Sequence, residues 1–336
     1  MHFQLTDDQR ALQTGVRELL AGRFGREALR AAVDAAGVDG SGARLDRGLW
    51  RELGEAGFFA LCLPEADGGV GLGLPEAVLA FEEAGRVLLP GPLIATHLAA
   101  GTVPGAAEGL TVVTAVDGVV DGTGGGALVE WLDEADVVQG DASGAVPLQS
   151  VDPLTPLHRV HAVVGNRSAG RWGSPLLERS RELGGGWAQP TTAGADNSFA
   201  ELLGAAEQLG GATRTCDMAV RYARERQQFG RPIGSFQAVK HLCAQMLVRT
   251  EMARAAVYAA SVTADPLDIA TARLLADEAA VRGARDCLQV HGGMGFTWEA
   301  DVHMYLKRAW VRARRGQSTA VHEESLAADL LLPEKR

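Results

Sequence analysis

This chain of 336 residues has no cationic excess and no long apolar run. The formal net charge is −10 and the sequence pI is about 5.3, which argues against a general surface for nucleic acid or anionic membrane. No uninterrupted apolar run could span a bilayer, and the start, MHFQLTDDQR, carries no basic-then-apolar leader. We therefore expect no nucleic-acid partner, no membrane partner and a cytoplasmic location.

Cysteine is also scarce, with four residues at scattered positions. They form no C-x-x-C pair, and no histidines lie near them at a spacing that metal sites use. We expect reduced, buried thiols and no metal site. What the chain does have is 46% hydrophobic residues at a mean hydropathy near zero, which is enough to bury a large core in one to three domains.

The secondary-structure signals divide the chain into three parts. Up to about residue 105 the pattern is helical, beginning with a T-x-x-Q capping box at Thr6 and Gln9. Short β-branched runs such as LTVVTAV and ADVVQG then alternate with turns, and long helical patterns return from about Asn197. We predict an α+β chain with a helical N-terminal domain (1–105), a shortened β-domain (106–195) and a C-terminal helical bundle (196–336).

Two glycine-containing stretches interrupt the C-terminal helical pattern. The first, RYARERQQFGRPIGSFQAVKH (221–241), predicts a helix end, a tight turn and a second helix that Ser235 is placed to cap. The second, QVHGGMG (289–295), ends a helix with glycines that let backbone amides approach a ligand closely. The turn of the first stretch presents a planar cation suited to phosphate, an amide and an aromatic platform: Arg226, Gln228 and Phe229.

Together these stretches resemble the R-x-x-F-G and Q-x-x-G-G elements of the acyl-CoA dehydrogenase family. The resemblance continues through TWEADVHMYLKRA (297–309) and a P-E-x-x-G-G-x-G loop that begins at Pro64, and it covers most of the chain. It implies a helical N-domain, a small central β-barrel that packs over the flavin ring, and a C-terminal four-helix bundle. The family motifs A-x-T-E-x-x-A-G-S-D and W-I-T-N are not legible, so the flavin-contacting half of the β-domain is expected to be missing.

The resemblance also implies FAD as the cofactor. In the family, the two elements hold the adenosine and pyrophosphate half of a flavin whose ring lies in the neighbouring subunit. A guanidinium opposite a pyrophosphate, supported by backbone N–H groups at glycines, makes a sufficient anion site. Ser318 stands where the family has a threonine that touches the flavin. The residues that match the two elements are Arg226, Gln228, Phe229, Gln237, Gln289, Gly292 and Gly293.

At both positions where the family carries its catalytic base, this chain lacks glutamate. Dehydrogenation of an acyl thioester needs a carboxylate to remove the α proton and an oxidised flavin to accept the β hydride. The E-G-T-S position of the family falls on Gly316, in RRGQST, and the upstream alternative falls on Ala200. Glu201 is adjacent, but neighbouring helix residues point about 100° apart. It is therefore either a base in a shifted register or a solvated carboxylate at a helix start.

Half of a flavin site without a base resembles the degenerate chain in the paired acyl-CoA dehydrogenases of bacterial sterol side-chain breakdown. We expect a partner chain that completes the FAD site of a second, base-bearing chain, with an acyl-CoA substrate and an electron-transfer acceptor. Three alternatives stay open. They are a self-sufficient homomeric acyl-CoA dehydrogenase using Glu201, another flavin reaction such as oxygenation on the same fold, and a non-redox scaffold that has lost the flavin.

Overall fold

The N-terminal part of the molecule is helical. The computed structural model describes residues 4–38, 42–117, 126–160 and 193–331. The predicted capping box starts α1, because Thr6 Oγ1 accepts the Gln9 N–H at 3.1 Å and Gln9 Oε1 accepts the Thr6 N–H at 3.0 Å. The five helices are α1 (Asp7–Arg23), α2 (Arg26–Val38), α3 (Arg47–Glu55), α4 (Leu74–Arg86) and α5 (Leu93–Ala99).

Five short strands follow and, within the described ranges, form one mixed sheet of order β3-β1-β2-β5-β4. Strands β1 and β3 are parallel, and the other neighbours are antiparallel, with Val116 opposite Val129. This sheet is the described part of the predicted β-barrel; residues 118–125 and 161–192, which belong to the same predicted domain, lie outside the described residues. The strands are β1 (Val113–Asp117), β2 (Ala127–Glu130), β3 (Val137–Gln139), β4 (Val146–Leu148) and β5 (Leu157–Val160).

The C-terminal helices build the predicted bundle. The long helices α6 and α8 run in the same direction, because Gln208 Nε2 donates to Asp277 at 2.8 Å and, fourteen residues further along each helix, Tyr222 stacks on His291. The C-terminal ends of α6 and α8 therefore lie at the same end of the bundle. The helices are α6 (Ala193–Glu225), α7 (Gln237–Thr263), α8 (Pro266–His291), α9 (Val302–Arg312) and α10 (Thr319–Leu330).

One hydrophobic core runs from α1 through α4 into α6, α8 and α9. Helices α4 and α6 contact each other through their backbones, because a Cβ at Gly85 or at Gly210 would come well under 3.0 Å from a carbonyl oxygen of the other helix. The predicted layout is thus confirmed, whereas the domain boundaries after residues 105 and 195 stay predictions. Among the described helices, none combines the length and apolar character needed to cross a membrane.

Candidate functional site

The two predicted cofactor motifs meet at one end of the bundle. The R-x-x-F-G turn follows α6, and the glycine loop follows α8. Their junction is a ring stack between Tyr222 and His291, with ring centroids 4.1 Å apart and planes at 20°. His291 Nδ1 also lies 2.8 Å from the carbonyl oxygen of Cys287, one turn earlier on α8. Parallel packing of α6 and α8 therefore brings together two motifs that are more than sixty residues apart in sequence.

The R-x-x-F-G turn is a rigid hairpin that holds an aromatic ring in solvent. Arg226 is anchored at both ends of its backbone, since its N–H donates to Tyr222 and its carbonyl accepts from Ile233, both at 2.8 Å. Phe229 and Gly230 at the tip have φ of +52° and +74°, as the central residues of a type I′ turn do. A non-glycine residue in this left-handed region costs about 1–2 kcal/mol. The turn nevertheless leaves Phe229 91% exposed.

The glycine loop offers backbone groups without side chains in front of them. Gly292 has φ +59° and ψ −140°, a conformation that favours glycine. A Cβ at Gly292 or Gly293 would meet no heavy atom within 4 Å, so the loop faces open space. Gln289, in the last turn of α8, is exposed beside it. The predicted role of these residues in binding a pyrophosphate requires backbone N–H groups that a ligand can reach.

The start of α7 completes this end of the molecule and corrects one prediction. Ser235 does not cap α7: it ends a 3₁₀ turn, Ile233–Ser235, and the N-cap is Phe236, which supplies no side-chain hydrogen bond. The first N–H groups of α7 thus lack a side-chain cap, and Gln237 is exposed there. An uncapped helix start carries partial positive charge. Arg226 is exposed as well, and none of the described carboxylates pairs with it.

These features fit the anionic half of a dinucleotide. An unpaired guanidinium, an uncapped helix start and a glycine loop at one end can bind a pyrophosphate. The exposed Phe229 ring and three amide side chains could contact the adenosine. Ser318 is not part of this group: it caps α10, accepting the Val321 N–H at 3.4 Å, and it lies near Glu201. The end with Glu201 is about 38 Å from the end with Arg226, at 1.5 Å per residue of α6.

The predicted base position at Gly316 lies against Glu201, the sequence neighbour of the second predicted position, Ala200. Gly316 has φ +75°, and a Cβ there would come well under 3.0 Å from Glu201 Oε1. The carboxylate of Glu201 thus lies against the backbone of the position where the family would carry its base. Glu201 is 6% exposed, so the prediction of a solvated carboxylate at a helix start is wrong. Thirty-three residues of α6, beginning at Ala193, place it inside a helix rather than at its end.

Glu201 is tightly engaged. Its Oε1 accepts the Gln317 N–H at 2.6 Å, and its Oε2 lies 3.5 Å from Arg273 Nε and 3.8 Å from His322 Nε2. Burial by itself raises the pKa of this carboxyl, but Arg273, His322 and the Gln317 N–H together outweigh burial and lower the pKa. A carboxylate with a lowered pKa and a buried cation beside it is a weak base.

Glu201 belongs to a buried ionic network that the sequence analysis missed. Arg312 joins Glu130, at 2.9 Å from Nη1, to Glu207, at 2.9 Å from Nε. Arg308 binds Asp152, and Arg315 reaches Asp117 at 2.6 Å. The spacing of arginines 308, 312 and 315, on one side of α9 and just beyond it, is a signal that could have indicated an internal ionic cluster. The other members of the network are Arg273, Asp277 and Glu201.

These side chains leave little room in the middle of the molecule. A cavity of about 10 Å³ lies between α4, α6, α8 and α9, beside Glu207, Arg308 and Arg312. That volume holds about one water molecule. The wall of this cavity combines three charged side chains, Glu207, Arg308 and Arg312, with small and apolar residues, and its volume is too small for an acyl chain.

Comparison with known proteins agrees with the fold and with the family resemblance. The model of the acyl-CoA dehydrogenase N-terminal domain matches residues 6–108, and that of the C-terminal domain matches residues 198–331. The acyl-CoA dehydrogenase IpdE2 of Mycobacterium tuberculosis is 39% identical over 306 residues, which cover 90% of this chain and 91% of IpdE2.

Two solved structures share the fold across nearly the whole chain. A crystal structure of the ChsE4-ChsE5 complex from Mycobacterium tuberculosis has a TM-score of 0.76 at 25% identity, covering 99% of this chain and 100% of that one. The Tcur3481-Tcur3483 steroid ACAD G363A variant has a TM-score of 0.75 at 23% identity, covering 96% and 98%. The chain therefore belongs to the acyl-CoA dehydrogenase family, whose members are generally FAD-dependent oxidoreductases.

Proposed function

We propose that this chain is the non-catalytic subunit of a heteromeric, FAD-dependent acyl-CoA dehydrogenase, where it completes the FAD site of a second, base-bearing chain. The observation behind this proposal is the contrast between its two half-sites. The end with Arg226 is open and exposes an unpaired cation, whereas the end with Gly316 has a buried carboxylate, Glu201, that lies against Arg273 and His322.

The missing base is the first support. Dehydrogenation requires a carboxylate that can reach the α proton of the substrate and accept it. Gly316 has no side chain, Ala200 has no titratable group, and Glu201 is buried against Arg273. The room for an acyl chain beside Glu207 is about 10 Å³. We therefore assign proton abstraction to the partner chain.

The second support is the fit of the open end to the adenosine diphosphate half of FAD. Arg226 would neutralise the pyrophosphate, and the N–H groups of Gly292, Gly293 and the start of α7 would donate hydrogen bonds to its oxygens. Phe229 would stack against the adenosine. When bound, FAD supplies the acceptor for the β hydride. Amide side chains available for the remaining polar atoms are Gln228, Gln237 and Gln289.

A partner chain is also supported by the outer surface of α7. This helix exposes Leu247, Val248, Met252 and Val262, each more than half accessible, on one long helix. The ChsE4-ChsE5 structure is a complex of two named proteins, and the Tcur3481-Tcur3483 structure is described as a steroid acyl-CoA dehydrogenase. We propose by analogy a second acyl-CoA dehydrogenase-like chain as partner, a bulky or sterol-derived acyl-CoA as substrate, and an electron-transfer acceptor. The four free thiols suit the cytoplasm as the place of assembly.

A second candidate function is a self-sufficient homomeric dehydrogenase that uses Glu201. It is favoured by one observation, the contact of the Glu201 carboxylate with the backbone of Gly316, where the family base is expected. For this function, Arg273 would have to release Glu201 when substrate binds.

Flavin content decides between these functions. We would measure flavin absorbance of the chain purified alone and after co-expression with acyl-CoA dehydrogenase-like chains encoded beside it. Stoichiometric flavin only in the co-purified complex is the expected result. Flavin in the lone chain, with acyl-CoA oxidation that Glu201→Gln abolishes, would support the homomeric enzyme. No flavin with any partner would leave a non-redox scaffold, and retained flavin without acyl-CoA oxidation would point to other flavin chemistry.

A further inference from the structure

A separate cleft of about 310 Å³ lies between α1, α2, α4, α6 and α9. Its midpoint on α6, Arg214, is about 18 Å along the helix from Arg226 and about 20 Å from Glu201. The volume is at the lower end of the range for small-molecule sites. The wall is apolar, with buried side chains from α1 and its C-cap, α2 and α6: Leu20, Phe24, Leu29 and Met218.

The rim of the cleft is positively charged in a chain whose net charge is −10. Five guanidiniums face or adjoin it, against three carboxylates, so two positive charges are not balanced locally. The guanidiniums belong to Arg17, Arg26, Arg30, Arg86 and Arg214, and the carboxylates belong to Glu83, Asp217 and Asp301.

Two of the carboxylates are fully used by arginines. Glu83 is 1% exposed, and Arg17 binds it through two parallel hydrogen bonds of 2.9 and 2.6 Å. Asp301 is shared by Arg26 and Arg30, each at 2.6 Å. Because these arginines and carboxylates already bind one another, they surround the cleft but are not available to bind a ligand.

Arg214 is different, because no carboxylate pairs with it in the part of the chain that the structure describes. Its hydrogen-bond partner is the hydroxyl of Tyr305, which in turn donates to the carbonyl of Arg86 at 2.7 Å. Burial raises the pKa of Tyr305 to about 12, although Arg214 lowers it, so the phenol is neutral at physiological pH. The charge of Arg214 therefore faces the cleft uncompensated.

We propose that this cleft binds a small amphipathic carboxylate, of the size and kind of a medium-chain fatty acid. The planar guanidinium of Arg214 would bind the carboxylate, and the wall around Phe24 and Met218 would contact the hydrocarbon chain. Phosphate offers the same charge without the apolar body, so it would use only half of the cleft. This site is independent of the flavin site.

Decanoate is the probe, titrated calorimetrically into the full chain and into its complex. We expect saturable binding, at least tenfold weaker binding of the neutral analogue 1-decanol, and no comparable binding of inorganic phosphate. Arg214→Met should weaken decanoate at least tenfold, because it keeps the apolar stem and leaves no buried carboxylate unpaired. Arg51→Met, on the exposed side of α3, should change nothing.

A second variant distinguishes a loss of decanoate binding from a folding defect. Ala21→Trp fills the mouth of the cleft from the exposed side of α1 and should abolish decanoate binding at an unchanged thermal midpoint. The proposal is overturned if decanoate gives no saturable heat up to about 1 mM. Equal affinity for 1-decanol or phosphate, or full affinity in both the Arg214→Met and the Ala21→Trp variants, would overturn it as well.

Discussion

The two ends of α6 carry charge in opposite ways. At its C-terminal end, Arg226 is exposed with no described carboxylate beside it, next to an uncapped helix start and an open glycine loop. Near its N-terminal end, Glu201 is buried against Arg273, beside a network in which Arg312 binds Glu130 and Glu207. Unpaired charge is stable only in water, and paired charge can be buried. The first end is therefore available to a ligand, whereas the second contributes to the architecture of the chain.

This difference shows how one long helix can carry an open, ligand-accessible end and an end buried in an ionic network. The open end is a short turn and a loop that packing of α6 and α8 brings together. The closed end, which contains Glu201 and the buried ionic network, depends on pairing between carboxylates and arginines. Any carboxylate that acted as a base would first have to leave its arginine. The following predictions test this contrast, beginning with the largest effect.

Removing an arginine from the buried ionic network should lower the free energy of unfolding. Arg312→Met leaves Glu130 and Glu207 buried with fewer counter-charges, and removing one partner from a buried ion pair costs about 3–5 kcal/mol. The free energy of unfolding in urea measures this loss. Arg282→Met is the control, since Arg282 is exposed and pairs only with Glu278 on the same helix; we expect about 0.5 kcal/mol or less. A loss at Arg312 as small as the control's would mean that the network does not stabilise the fold.

Restoring the family base at residue 316 should be resisted by Glu201. Gly316→Glu adds a Cβ into the Glu201 carboxylate and a second buried negative charge, so we expect a loss of about 3 kcal/mol. Gly144→Glu is a matched control: Gly144 has φ +71°, close to the +75° of Gly316, but faces open space. The double variant Gly316→Glu/Glu201→Ala should recover part of the loss. Equal losses at 316 and 144 would show backbone strain alone.

At the open end, the expected loss is in affinity rather than stability. Arg226→Ala in the assembled complex should weaken FAD binding roughly 10-fold to 100-fold, because a charge-assisted contact to the pyrophosphate disappears. The unfolding midpoint of the flavin-free chain should not move, since no described carboxylate pairs with Arg226. Flavin fluorescence during dilution gives the dissociation constant, and Arg51→Ala is the surface control. Unchanged affinity in Arg226→Ala would remove this end from the flavin site.

The closed end also predicts opposite pH dependences for two glutamates. Burial raises the pKa of Glu207 despite Arg312, so its contribution to stability falls as pH rises above its usual pKa of 4.5. The pKa of Glu201 is lowered, so its contribution is present above 4.5 and is lost as pH falls below that value.

Unfolding curves between about pH 3.5 and 7 test these signs. Glu207→Gln should flatten a decline of stability above pH 4.5, and Glu201→Gln should flatten a rise below it. If both variants changed the slope in the same direction, the two carboxyls would share one environment and the assignment of their charges would be wrong.

Sequence was a good guide to the open end because its determinants are local. The helix ends, the glycines and the hairpin at Phe229 each depend on a few neighbouring residues. Parallel packing of α6 and α8 then brings the two motifs together. The prediction that Ser235 caps α7 was wrong, because the 3₁₀ turn through Ser235 moves the N-cap of α7 to the next residue. The register that assigns the family's base positions to Gly316 and Ala200 stays a prediction.

The surroundings of Glu201 at the closed end could not be predicted from neighbouring residues in this way. Glu201 is buried because Gly316, Arg273 and His322 converge on it from three other segments, and nothing near Glu201 in sequence reports them. Long-range pairing of this kind needs the fold first. The same holds for the cleft at Arg214, whose wall comes from five helices.

The smallest effect is expected at Ser318, which the family resemblance would assign to the flavin. Its hydroxyl accepts the Val321 N–H at 3.4 Å, so Ser318→Ala should cost about 0.5–1 kcal/mol as a lost N-cap. Asp265→Ala, which removes a stronger cap with a 2.8 Å bond to the Leu267 N–H, should cost more. Neither should change flavin content, because the Arg226 end is about 38 Å from Glu201 along α6. A selective loss of flavin in Ser318→Ala would show that the closed end still touches a flavin.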